Sequence, residues 1–290
     1  MVKLTSLRVL FSIAAAWDLE LHSMDFETAF LHSNVEEEIY MEQPPLFSGG
    51  KPGQVCRLLK SLYGLKQAPR NWYQMVSSWL LQYGFKRSSD DCCIFIHRGD
   101  NGSICIIGLY VDDLAIAFND HDFASRLKSD LTEAFRIVDM GELSYILGIT
   151  VTRDRPNKVI MLDQHKYLSD ILRQYNLTDI KPEVLPMPTS FQTTLPSNGP
   201  DSQQLDKKRH ELYRSMLGSL QYLQVATRPD ISTAVGILAR SLHAPQQVHL
   251  NALKRVYGYL KASPAKGIIF RGGAEDALVL KGGVRLRLCR

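Results

Sequence analysis

Two adjacent carboxylates, Asp112 and Asp113, stand between the apolar runs Ile104 to Tyr110 and Leu114 to Phe118. Burying one unpaired carboxylate is costly, and two side by side also repel. A divalent cation resolves both problems. Hard ions such as Mg²⁺ want oxygen ligands and commonly take one or two carboxylates together with substrate phosphates. Asp also favours solvated turns, and on Tyr110-Val111-Asp112-Asp113 alone the two readings weigh equally. A pair of ions about 3.5–4 Å apart needs a further carboxylate from elsewhere in the chain. Asp25 is a candidate, with the capping of the next turn as its plainer role. Spacing alone does not join Asp25 to Asp112.

The elements that must position these residues are legible as patterns. Leu7, Leu10, Phe11 and Ala14 form a helical stripe, so residues 5–16 are expected as an amphipathic helix rather than a signal peptide. A strand is expected over 19–26, and a Pro/Gly-bearing loop over 34–53 leads to a short strand over 55–59. Pro69 opens a helix whose apolar face is Trp72, Met75, Val76, Trp79, Leu80 and Tyr83, with Gly84 at its end. The spacing of Trp72 and Trp79 favours core over base stacking. The runs 104–110 and 114–118 read as a hairpin around the two aspartates. A helix near 123–135, strands over 144–152 and 159–162 and a helix over 166–175 follow. Prolines 182, 186, 188, 196 and 200 interrupt regular structure. Helices are then expected over 208–226, 230–242 and 246–263. Strands mixed with helices, then helices alone, give an α+β class.

Composition sets limits. Hydrophobic residues are 45% and charged residues 22%, enough for a sizeable core, and the net charge of +4 permits nucleic-acid contact without arguing for it. The five cysteines, Cys56, Cys92, Cys93, Cys105 and Cys289, include no C-x-x-C pair. A reducing compartment is therefore expected, and the sequons at Asn101 and Asn176 carry little weight. No apolar run approaches bilayer length. The sequence has no H-E-x-x-H, P-loop, G-x-G-x-x-G or nucleophile elbow.

Several stretches resemble a known family. Met24-Asp25-Phe26-Glu27-Thr28-Ala29-Phe30-Leu31 with Glu38 to Pro44 is similar to the first polymerase motif of copia-type retrotransposon reverse transcriptases. Lys60-Ser61-Leu62-Tyr63-Gly64-Leu65-Lys66-Gln67-Ala68-Pro69-Arg70 with Trp72 resembles the family's most recognisable stretch, and Tyr110 to Asp113 its catalytic turn. Asp139 to Leu143 with Leu147-Gly148-Ile149 resembles the motif leading to the primer grip. Tyr213-Arg214, Gly218-Ser219-Leu220, Thr227-Arg228-Pro229-Asp230-Ile231 and Leu253-Lys254-Arg255 resemble its later helical part. The similarity is collinear from about Val2 to Ile269.

The resemblance implies an RNA-directed DNA polymerase, also able to copy DNA, with a right-hand fold. Residues 1–185 would hold partial fingers, palm and the start of the thumb. Residues 186–206 would be a Pro-rich linker, 207–270 a helical connection-like segment, and 271–290 an aberrant tail where ribonuclease H would begin. Asp25 and Asp112 would hold two Mg²⁺ ions (Mn²⁺ can serve), with Asp113 beside them and the Phe26 backbone carbonyl as a further ligand. Phe30 would gate against the ribose 2′-hydroxyl, with an ordinary core phenylalanine as the alternative. Gln67 would contact the incoming nucleotide. Lys66, Arg70, Tyr110 and Gly148 would meet template or primer, against a plain solvated basic face for the two cations. The implied partners are an RNA or DNA template with primer, deoxynucleoside triphosphates and the rest of the Pol polyprotein. The implied place is intracellular, in a cytoplasmic virus-like particle or the nucleus, with no membrane and no secretion.

The sequence also departs from the family. It starts late in the fingers, and Gly283 to Arg290 has no likeness to the expected continuation, which suggests a frameshift. Val138 stands where relatives often carry lysine, so slower turnover is expected. The alternative reading is a catalytically dead remnant that at most binds nucleic acid.

Overall fold

The computed structural model describes residues 1–44, 53–188 and 203–273. The chain divides into two compact units, Met1–Leu143 and Ser144–Arg290. That division falls earlier than the boundary at 185/186 expected from the proline run, because residues 144–185 pack with the later helices. The Pro-rich stretch lies outside the described residues at 189–202, and so does the tail from 274 onward.

The first unit is a six-stranded antiparallel sheet with helices around it. Its elements are α1 (Leu4–Ala16), β1 (Glu20–Phe26), α2 (Ala29–His32), β2 (Tyr40–Glu42), β3 (Val55–Arg57), α3 (Ala68–Gln82), β4 (Lys86–Arg87), β5 (Ile94–Arg98), β6 (Ile104–Tyr110), β7 (Asp113–Phe118), α4 (His121–Ala134) and β8 (Ile137–Glu142). The sheet order is β4-β5-β6-β7-β1-β8, while β2 and β3 pair separately. β6 and β7 are buried at successive positions, hence on both faces, as their unbroken apolar runs require. α1 is the helix that its stripe predicts, burying Leu7, Leu10, Phe11 and Ala14. It approaches β6 closely at Gly108, where a β-carbon would stand 3.2 Å from Leu7. In α3, Trp72, Val76 and Leu80 are buried, but Met75 is 40% exposed, since the buried stripe is narrower than the apolar one.

The second unit holds β9 (Tyr145–Ile146), β10 (Ile149–Asp154), β11 (Val159–Asp163), α5 (His165–Gln174), α6 (Lys207–Ala226), α7 (Ser232–Ala239), α8 (Gln247–Ala262) and β12 (Ile268–Arg271), in a sheet of order β12-β11-β10-β9. The strand expected over 144–152 is a tight hairpin instead. Leu147 and Gly148 both have positive φ, the pattern of a two-residue type I′ turn. The helix expected over 230–242 begins as a single 3-10 turn, Pro229–Ile231, before α7. Leu168 and Ile171 of α5, Tyr213 and Leu217 of α6, Leu238 of α7 and Tyr257 of α8 share one core. Among the described residues no helix is long and apolar enough to cross a membrane.

Candidate active site

β1 lies between β7 and β8, and its pairing with β7 sets Asp25 directly opposite Asp113. Tyr110 pairs with Asp113 across β6 and β7, leaving Val111 and Asp112 as the two-residue turn. The three aspartates thus gather at one end of three neighbouring strands. The sheet register accomplishes the pairing of Asp25 with the turn that spacing alone left open.

The turn is held from two sides. Val111 has φ +51°, a conformation that a β-branched residue rarely adopts. Its carbonyl accepts the indole N–H of Trp72 at 2.8 Å, and the Asp112 carbonyl accepts the Phe26 N–H at 2.8 Å. Trp72 is itself wedged edge-on between Phe26 and Phe135, at ring separations of 4.7 and 5.9 Å. It is a core residue, as its spacing suggested.

Electrostatics at the cluster is strained. Burial, then the nearby charge of Asp112, raises the Asp25 carboxyl above its ordinary value. Burial, then Asp25 and Asp112, does the same to Asp113. Asp112 Oδ2 accepts the Tyr63 hydroxyl at 2.7 Å, while its Oδ1 is buried with no hydrogen-bond partner. Partial burial, that hydrogen bond and the two negative charges push Tyr63 up to about 12, so it stays a neutral donor at neutral pH.

The remaining expected site residues fall in several places. Phe30 is buried and packs its ring 4.4 Å from that of Tyr63, so it joins the aspartates through the tyrosine. Tyr110 is half-buried opposite Asp113, and Lys66 and Arg70 are exposed. Gln67 donates its amide to Glu37 at 3.2 Å. Val138 is the cross-strand partner of Asp25 on β8 and is exposed. Gly148 belongs to the second unit, where the Tyr222 hydroxyl donates to the preceding carbonyl of Leu147. Sequence reasoning missed Tyr63. It stood inside the stretch Lys60 to Arg70, but nothing in its local pattern marks a hydroxyl that reaches Asp112 from 49 positions away.

The cluster fits a divalent cation by its chemistry. The donors are hard oxygens, their mutual repulsion calls for positive charge, and Asp112 Oδ1 is a buried acceptor lacking a donor. The three carboxylates do not close as a set within 4.8 Å; among the described residues Asp91, Cys92 and Cys93 do. Asp91 is already used, however, accepting the N–H groups of Lys3 at 2.9 Å and Cys93 at 3.0 Å.

Comparison with known proteins agrees with the geometry. The family described as reverse transcriptase (RNA-dependent DNA polymerase) matches residues 1–189. A retrovirus-related Pol polyprotein from transposon TNT 1-94 of Nicotiana tabacum is 38% identical over 97% of this chain and 21% of its own length. One from transposon RE1 of Arabidopsis thaliana is 38% identical over 94% of this chain and 18% of its own. A transposon Ty5-1 protein of Saccharomyces cerevisiae is 31% identical over 89% of this chain and 81% of its own. The chain thus spans about a fifth of the two Pol polyproteins. The match covers the whole sheet that carries Asp25, Asp112 and Asp113, and the chain belongs to the reverse transcriptase (RNA-dependent DNA polymerase) family, in its copia-type branch.

Proposed function

We propose that this chain carries the nucleotidyl-transfer site of an RNA-directed DNA polymerase, extending a primer on an RNA or DNA template with deoxynucleoside triphosphates. The observation that carries the reading is the placement of Asp25 opposite Asp113, with Asp112 on the adjoining turn. In this reading the first unit is the palm with part of the fingers, and the hairpin of β9 and β10 with α5 begins the thumb. The helices α6 to α8 form a connection-like segment beyond the linker at 186–206.

Asp25 and Asp112, with the Phe26 carbonyl, would hold two Mg²⁺ ions, for which Mn²⁺ could substitute. When bound, such ions supply a lowered pKa at the primer hydroxyl and charge neutralisation at the triphosphate. The protein's own work is positioning and charge. Asp113 sets the field beside the ligands. Phe30 would gate against the ribose 2′-hydroxyl, and Gln67 would contact the incoming nucleotide on leaving Glu37. Lys66 and Arg70 offer exposed cations to phosphates. Tyr110 and Gly148 would meet template or primer. The primer 3′-hydroxyl attacks the α-phosphate in line, and pyrophosphate leaves.

Primer extension on an RNA template with Mg²⁺, beside an Asp112→Asn control, tests this. Extension that the substitution abolishes is expected. A folded chain that extends nothing would move the reading to a catalytically dead remnant that at most binds nucleic acid.

A further inference from the structure

Both oxygens of the half-buried Asp112 carboxylate are encumbered in this conformation. Oδ2 is capped by the Tyr63 hydroxyl at 2.7 Å, and Oδ1 is buried without a partner. An approaching ion must share Oδ2 with the phenol or reach the buried Oδ1. On the Oδ2 side the obstacle is Tyr63, a residue 55% exposed. It precedes Gly64, which has φ +104° and open space around its Cα. Its ring leans on Phe30 at 4.4 Å, so a swing of the phenol away from Oδ2 also moves the face against Phe30.

We infer that Tyr63 is a positioning residue that latches Asp112, holding it by Oδ2 in the free protein and releasing it when a divalent cation is taken up. This rests on Asp112 being a metal ligand, as proposed above. A hydrogen bond from a neutral phenol to a carboxylate competes for lone pairs that the cation needs. Its loss on cation binding is an opposing term that sets the affinity. Because the same ring abuts Phe30, release also shifts the wall beside which the sugar would lie.

The test is Mn²⁺ binding alone, followed by electron paramagnetic resonance on the full chain. Parent, Tyr63→Phe, Asp112→Asn and the double variant are compared. Tyr63→Phe keeps the ring on Phe30 and removes only the hydroxyl. It is expected to tighten Mn²⁺ binding roughly three- to tenfold, the worth of one net hydrogen bond. The double variant is expected to match Asp112→Asn. Unchanged or weaker binding by Tyr63→Phe overturns the latch, as does tightening that persists without Asp112. If Asp112→Asn binds Mn²⁺ like the parent, the metal-site reading itself has failed, and the latch falls with it. A second readout is the ¹⁹F resonance of fluorotyrosine installed at 63. It should shift on adding Mg²⁺, and a resonance that stays put counts against release.

Discussion

The indole N–H of Trp72 reaches the carbonyl of Val111 at 2.8 Å, tying helix α3 to a turn residue that sits at φ +51°. A β-branched residue in that region costs of order 1–3 kcal/mol and persists only where its surroundings impose it. Trp72 is part of that imposition. Trp72→Phe keeps an aromatic ring among Phe26 and Phe135 but removes the donor. Destabilisation of about 1–2 kcal/mol in urea unfolding is expected, with weaker Mn²⁺ binding as the turn relaxes.

The carboxylates predict an inverted pH response in the metal-free protein. Asp113 has a raised folded pKa, so between the unfolded value of about 3.9 and the folded one the native state holds more protons. Stability therefore falls as pH rises through that window. Asp113→Asn should be more stable than the parent at neutral pH without metal. The advantage should vanish at pH values below the unfolded carboxylate pKa. Thermal unfolding across pH in chelator checks this, and a variant less stable at every pH would refute it.

In the second unit the Thr227-Arg228-Pro229-Asp230 stretch is a clamp rather than a site. Arg228 and Asp230 pair at 2.8 Å with side chains 3% and 6% exposed, and Arg228 also donates to the Ser263 carbonyl. Burial alone would raise Asp230, but the Arg228 guanidinium and the Tyr259 hydroxyl hold it below its ordinary value. Its contribution is thus present above the unfolded carboxylate pKa and lost as pH falls through the folded one. Asp230→Ala leaves a buried cation and should cost about 3–5 kcal/mol. Replacing both partners by apolar residues should cost less than that single change.

Gly258 reverses a familiar trend. Alanine in place of a helical glycine ordinarily gains about 1 kcal/mol. Here a β-carbon would lie 2.5 Å from the Lys181 carbonyl oxygen and 3.1 Å from Glu183 Cγ. The Glu183 N–H donates to the Gly258 carbonyl, so that backbone cannot simply withdraw. Gly258→Ala should lower stability by about 1–3 kcal/mol in denaturant unfolding.

The gate proposed for Phe30 predicts a change in sugar choice. Phe30→Val empties the space beneath Tyr63 and should raise ribonucleotide incorporation relative to deoxynucleotide, at least tenfold in kcat/KM ratio by loss of a steric contact of roughly 1.4 kcal/mol. Primer extension with single nucleotides measures it. An unchanged ratio would return Phe30 to an ordinary core role.

Local pattern made much of the first unit legible. The stripe of α1, the start of α3 within a residue of Pro69 and the hairpin of β6 and β7 all follow from periodicity and turn chemistry. Tertiary context decided the rest. A turn made of Leu147 and Gly148 hides inside an apolar run, because leucine at positive φ carries no turn signal. β8 was missed because Val138 and Met140 are exposed apolar residues on an edge strand, where alternation fails. At the site, the acidic residues were visible as types, but their meeting depends on sheet register. Tyr63 and Trp72 act on the turn through long-range contacts that no spacing encodes.

The strand order carries a temporal meaning. β1 is made early, yet both of its neighbours, β7 and β8, emerge later from the ribosome. Asp25 has no partner until Asp113 has been synthesised, and its strand stays an open edge until Val138 arrives. Nascent chains ending before the Val111-Asp112 turn lack two of the three carboxylates and the strand that aligns the third. If the carboxylates bind metal as proposed above, Mn²⁺ affinity would arise once β7 pairs with β1, and a metal titration of stalled chains would time that pairing.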